Sequence, residues 1–158
     1  MNDSWESFRD VLREECTTFR ALNEKAIALS TALVENGTEK IRRAQDAIEV
    51  ARKNFVAASM RRRSMQKRGF GDLALRSVAG YAPPQLRSEI GHRAAELTYL
   101  ATSLEIVNSN NRALILSGME RLMNVVSVLQ RAQAKPLPYK RRGVIPPLNG
   151  SVIMSKQA

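Results

Sequence analysis

The chain has 158 residues, 44% of them apolar and only 5% aromatic, and a formal net charge of +10. Its length fits one domain, and its apolar fraction excludes disorder of the whole chain. The basic residues concentrate in segments 37–68 and 135–158, a distribution that favours partner binding over a general role in solubility.

Residues 4–35 are predicted to form the first helix, because apolar residues recur there at alternating steps of three and four. Only Glu15 takes a place in this series where an apolar side chain is expected, and Asn36-Gly37 provides the stop. The apolar positions are Trp5, Phe8, Leu12, Phe19, Leu22, Ala26, Leu29 and Leu33. Such a stripe needs a partner helix to cover it.

The second helix is predicted to begin with Thr38 as its N-cap and to end at Gly69-Phe70-Gly71, where two close glycines remove helix propensity. Its stripe has one charged member, Arg62, and we expect the packing to loosen there. The apolar members are Ile41, Ala44, Ile48, Ala51, Phe55, Ala58 and Met65. Because the turn at Gly37 is short, the two helices should form an antiparallel hairpin.

A short helical turn is expected at residues 72–78 and a loop at residues 79–82. Pro83-Pro84 then opens the longest predicted helix, since proline is tolerated in a first helical turn. This helix should continue to about Gln133 and extend at one end beyond the hairpin.

The predicted fold class is therefore all-α. We expect an elongated antiparallel helical hairpin plus one long third helix, similar to a three-helix bundle or coiled coil, with no β-sheet. These helices would make up a domain of residues 1–134. From Lys135 onward, four prolines and a basic run predict an extended or flexible tail over residues 135–158.

The residues that could carry catalysis do not form a catalytic constellation. His92 is the only histidine, which excludes His-pair metal sites, and its neighbours indicate a surface residue. Cys16 follows two glutamates, which disfavour a thiolate, so it is interpreted as a small packed residue. No catalytic, cofactor-binding or metal-binding residue is predicted, no small-molecule substrate is expected, and the chain is not expected to be an enzyme.

The expected location is the cytosol. A single cysteine excludes an intramolecular disulfide and fits a reducing compartment. The first residues lack the apolar stretch of a secretory signal. No apolar run approaches the ~20 residues of a membrane span, because Glu120 and Arg121 interrupt the best candidate, so membrane insertion is not expected.

The last part of the third predicted helix is apolar around much of its circumference, more widely than one packed stripe requires. One interpretation is burial between both other helices. The other is a surface that binds the amphipathic helix of a client, and the flexible methionines there favour adaptable binding. The candidate client-binding residues are Leu114, Ile115, Met119, Leu122, Met123, Val126 and Leu129.

Two polar features remain. A basic patch near the end of the second helix could complement the helix dipole, meet an acidic protein surface or contact nucleic acid. Its members are Arg61, Arg62, Arg63, Lys67 and Arg68. Asn108, Asn110 and Asn111 interrupt the third stripe, and for Asn111 we favour burial that fixes helix register.

Three features, in this order along the chain, resemble the FlgN family of flagellar type III export chaperones. The opening helix–turn–helix reads FRDVLREECTTFRALNEKAIALSTALVENGTEKI, and the arginine-rich end of the second helix reads RRRSMQKRGFGD. The asparagine-bearing last helix and the tyrosine-bearing tail read NSNNRALILSGMERLMNVVSVLQ and PLPYKRRGV. The strong positive charge departs from what we expect of this family.

The resemblance implies a cytosolic chaperone that binds the C-terminal helices of hook–filament junction proteins through its own C-terminal region. It also implies delivery of that cargo to the export gate, with Tyr139 at the position of the family's gate-docking tyrosine. Two other functions stay open: a basic helical protein associated with nucleic acid, which we consider unlikely, and a structural coiled-coil subunit. The exposed apolar length also leaves self-association open when no client is present.

Overall fold

The computed structural model describes residues 2–134, and every regular element in this range is an α-helix. The helices are α1 (Asn2–Val34), α2 (Thr38–Phe70), α3 (Leu75–Tyr81) and α4 (Pro84–Ala134). The all-α prediction is confirmed. Within the same range no helix has an apolar stretch of the length that a membrane crossing needs. The predicted tail, with Tyr139, lies outside the described residues.

The chain divides into two compact units, and the boundary in the sequence lies between Glu120 and Arg121 of α4. The first unit contains α1, α2, α3 and the greater part of α4, and it holds the hydrophobic core. The described part of the second unit consists of the last turns of α4.

The turn between α1 and α2 is short, as predicted. Asn36 takes the left-handed conformation, with φ of 53°, which asparagine adopts more readily than most residues. Gly37, rather than Thr38, is the N-cap residue, so α2 begins one residue earlier than predicted, with Thr38 inside the helix. Lys40 pairs with Glu35 across the turn at 2.6 Å.

α1 and α2 are antiparallel, which confirms the predicted hairpin. Phe19 stacks on Phe55 with ring centroids 4.2 Å apart, and Trp5 near the start of α1 meets Phe70 at the end of α2 at 4.5 Å. The predicted stripe of α1 is buried over almost its whole length, with Leu33 only half-buried. Aromatic contacts thus close the hairpin at its open end and midway along it.

The two charged exceptions in the predicted stripes lie opposite each other. Arg62 donates from Nε and Nη2 to the carboxylate of Glu15 at 2.7 and 3.1 Å, and from Nη1 to Gln66 at 2.7 Å. The Glu15 side chain is only 2% exposed and that of Arg62 13%. The expected loosening at Arg62 is therefore wrong, because the antiparallel register brings its guanidinium to a carboxylate that satisfies it.

α4 packs alongside α1 in the parallel direction. Arg13 of α1 pairs with Glu89, and further along Cys16 donates to the carbonyl of Arg93, at separations of 76 and 77 residues in sequence. The hydrogen bond from Ser30 to Asn111 spans 81 residues. Because the residue numbers of the bonded partners rise together along both helices, α1 and α4 run in the same direction.

Two buried amides fix this parallel pair. Asn23 of α1 donates to the carbonyl of Leu100 at 2.8 Å, and its Oδ1 accepts from Ser103 of α4 at 3.1 Å. Asn111 of α4 likewise bonds to α1: it donates to the carbonyl of Ala26 at 3.1 Å and accepts from the hydroxyl of Ser30. The predicted burial of Asn111 is confirmed. Asn23 was missed, because nothing in its local sequence distinguishes it from a surface asparagine.

The segment before α4 differs from the prediction. Residues 79–81 were expected to be loop, but they belong to α3, which begins only at Leu75. Val78 and Ala79 are buried in the core, and a side-chain carbon added at Gly91 of α4 would lie 3.9 Å from Ala79. Burial of this face outweighs the weak local propensity around Gly80.

We predict that Glu15→Ala lowers the free energy of unfolding by about 3 kcal/mol, because it leaves the guanidinium of Arg62 buried without its carboxylate. Glu14→Ala, which breaks the neighbouring exposed pair between Glu14 and Arg61, is the matched control and should cost less than about 1 kcal/mol. Urea denaturation followed by circular dichroism measures both. Equal costs would contradict a structural role for the buried pair.

Candidate functional site

The apolar residues at the end of the first unit are exposed on α4. Leu114, Ile115 and Met119 are exposed by 37%, 40% and 56%. These residues follow Asn111, whose bond to Ser30 is the last hydrogen bond between α1 and α4 in the described range, and α1 itself ends one turn after Ser30, at Val34. Burial between the other helices is therefore wrong for this stretch.

The second unit continues the exposed apolar character. Leu122, Val126 and Leu129 follow one another at steps of four and three, which places them on one face of α4, and Met123 flanks them. All four are exposed, Leu122 by 64% and Val126 by 43%. The opposite face carries the polar residues Asn124, Ser127 and Arg131.

This arrangement can bind a helix. An amphipathic helix whose apolar face is exposed gains free energy when another apolar face covers it. Each fully covered large apolar side chain contributes about 1.5–3 kcal/mol before the costs of association. All seven residues predicted to bind a client are thus accessible to one, and Leu116, Val125 and Val128 are exposed as well, by 56%, 56% and 63%.

The predicted basic patch is not one surface. Arg62 is a correction, because its guanidinium is buried against Glu15 and cannot meet an external partner. Arg61 is exposed but pairs with Glu14 at 2.8 Å. Arg63, Lys67 and Arg68 are exposed and form no ion pair with any residue in the described range. Three cations, rather than five, are available to a partner.

The residues considered for catalysis differ in their exposure. His92 is exposed on α4, whereas Cys16 is fully buried in the core. Among residues 2–134 no group of histidine, cysteine and acidic side chains could hold a metal ion. Two glutamates of α4, Glu89 and Glu96, have a lowered pKa, chiefly because Arg13 and Arg20 of α1 donate hydrogen bonds to them. These ion pairs link α1 to α4, and both carboxylates are engaged in them.

No protein-family model, curated protein or solved structure matches this chain.

We predict that the thiol of Cys16 reacts with Ellman's reagent only after unfolding. Burial, the largest cause, raises the pKa of this thiol from 9.0 to about 12. Between these values the unfolded chain has released the proton that the folded chain still holds, so stability falls as the pH rises. The free energy of unfolding falls by at most about 1.4 kcal/mol per pH unit through this titration.

The measurement compares urea midpoints of the native chain and Cys16→Ala at pH 8 and at successively higher pH. The variant lacks this titration, so its stability should decline less steeply between pH 9 and 12. Parallel declines, or a thiol that reacts in the folded protein, would show that Cys16 is accessible.

Proposed function

We propose that this chain is a cytosolic export chaperone of the FlgN type. In this proposal it binds the C-terminal helices of flagellar hook–filament junction proteins and delivers them to the export apparatus. Two observations support it: the resemblance of three ordered motifs to that family, and the exposed apolar face at the end of α4. The second observation carries the proposal, because it is where a client helix would bind.

Covering a client's apolar helix requires a complementary apolar surface that is accessible before the client arrives. Leu122, Val126 and Leu129 meet this requirement, since they are exposed on one helix face and have polar residues behind them. Met119 and Met123, both exposed, add flexible side chains that can adapt to clients of differing shape.

Two features of the basic patch disfavour the nucleic-acid alternative. Arg61 and Arg62 already have carboxylate partners, which leaves fewer cations for phosphate. Phe70, the aromatic residue that follows the patch in sequence, packs against Trp5 and Phe8 and so is unavailable for stacking on a base. A structural coiled-coil role is therefore the second candidate, ahead of nucleic-acid binding, and is favoured by the four-three spacing of Leu122, Val126 and Leu129.

We predict that Leu122→Asp combined with Val126→Asp weakens binding of a junction protein's C-terminal helix by at least about 100-fold. Two carboxylates would have to be desolvated against an apolar client face. The matched control is Asn124→Asp with Ser127→Asp, which adds the same charge on the polar face and should leave affinity within about threefold. Fluorescence anisotropy with a labelled client segment measures both.

Two further readouts accompany this comparison. Circular dichroism should show unchanged helix content in the Leu122 and Val126 variant, because both side chains are exposed. A loss of helicity would mean that these residues are core. Sedimentation of the native chain, without and with client, tests the coiled-coil role. Concentration-dependent self-association that persists when client is present would favour that role over the chaperone.

Delivery to the gate is assigned to Tyr139 by resemblance alone. We predict that Tyr139→Ala leaves client affinity unchanged and weakens recruitment of the loaded chaperone to the export gate. Tyr139→Phe is the conservative comparison, since it keeps the ring. Co-purification with gate components, beside the anisotropy measurement, separates the two steps. Equal loss of both would place Tyr139 in the client site.

A further inference from the structure

α1 packs on α2 and α4 through two different faces. Glu15 of α1 bonds to Arg62 of α2, whereas the next residue, Cys16, bonds to the backbone of α4 at Arg93. Consecutive helical residues point about 100° apart, so α2 and α4 lie on sides of α1 that are roughly at right angles. Helices so placed occupy three corners of a four-helix bundle, with the corner diagonal to α1 open.

A groove of about 520 Å³ lies at this open corner, within the first unit. Three helices contribute large apolar residues to its lining: Phe19 of α1, Phe55 of α2 and Leu97 of α4. Small residues form the walls, with Ser59 on one side and Ala94 and Ala101 on the other. Small walls permit the close backbone approach that helix packing needs.

The short helix α3 already fills this corner at one end. Val78 and Ala79 of α3 are buried, and Ala79 approaches α4 at Gly91. Leu75 and Arg76, the first two residues of α3, line the groove at the edge nearest to α3. The corner is thus occupied for about two turns by the chain itself and is open beyond them.

The polar groups on the groove floor would tolerate being covered. Both carboxylate oxygens of Glu15 accept from Arg62, whose remaining terminal nitrogen donates to Gln66. The hydroxyl of Thr98, on the α4 wall, donates to the carbonyl of Ala94 at 3.1 Å. A partner helix would therefore bury no unpaired charge among these groups.

The charge at the rim indicates the chemistry of that partner. Arg63 of α2 and Arg76 of α3 line the groove, are exposed, and form no ion pair with any described residue. Carboxylates on the outer face of a docked helix could pair with both, whereas lysines or arginines there would be repelled.

We propose that the groove between α2 and α4 binds an acidic amphipathic helix of a partner protein and so completes a four-helix arrangement with α1. This surface shares no residue with the client surface of the proposed function. The inference therefore stands independently of that function and gives the chain a second docking site.

The test uses the full chain and a fluorescent amphipathic peptide of about five helical turns (~27 Å), with Leu and Ala on one face and Glu on the other. A peptide with Lys in place of Glu is the charge control. Ala101→Trp should block the groove and weaken binding of the acidic peptide at least about tenfold, equivalent to 1.4 kcal/mol. The matched control is Ala95→Trp, at an exposed position outside the groove.

The rim is tested by Arg63→Glu with Arg76→Glu. This double variant should bind the acidic peptide at least about tenfold more weakly and should bind the basic peptide more tightly. Lys25→Glu with Arg112→Glu makes the same charge change at exposed sites away from the groove and should have little effect. Circular dichroism verifies folding of every variant.

Three results would overturn the inference: no binding of the acidic peptide, equal binding of the basic one, or binding that Ala101→Trp leaves intact. The Leu122→Asp and Val126→Asp variant should bind the acidic peptide normally. Loss of binding in that variant alone would assign the peptide to the client surface, so failure of the groove and failure of the proposed function are distinguishable.

Discussion

The exchange of amide hydrogen bonds between α1 and α4 is the constraint on which the other features depend. Asn23 reaches a backbone carbonyl of α4, and Asn111 reaches one of α1. An apolar interface alone would tolerate a shift by one heptad, but such a shift would leave both buried amides unpaired. The register in turn decides where α1 stops along α4, and hence which apolar residues of α4 have no helix opposite them.

α1 is the helix that organises the first unit, because its two packed faces carry polar contacts of different kinds. Towards α2 it presents the carboxylate of Glu15, which Arg62 neutralises, and towards α4 it presents Cys16 and Asn23. A buried ion pair adds little net stability compared with an apolar pair, but it strongly disfavours alternatives that separate the charges. Specificity of pairing, more than stability, is what these buried polar groups contribute.

Periodicity predicted the long helices, the hairpin and the buried Asn111, because each is determined by residues close together in sequence or by one apolar face. It failed where the decisive partner was distant. Glu15 and Arg62 each look like a defect in their own helix and become complementary only across the hairpin. α3 was misplaced because its helical ending follows from burial of Val78 against the core. For the candidate site, the wide apolar face was visible in the sequence, but only the end of α1 showed that it is exposed.

The parallel packing of α1 and α4 also sets an order of events during synthesis. The hydrogen bond from Cys16 to Arg93 spans 77 residues, so the α4 side of α1 has no cover when α1 leaves the ribosome. At about 5–20 residues per second, that face waits roughly 4–15 s for its partner, whereas α2 can fold back sooner. The nascent hairpin therefore exposes Cys16 and Asn23 for seconds, and during that time its uncovered face is open to aggregation and its thiol to oxidation.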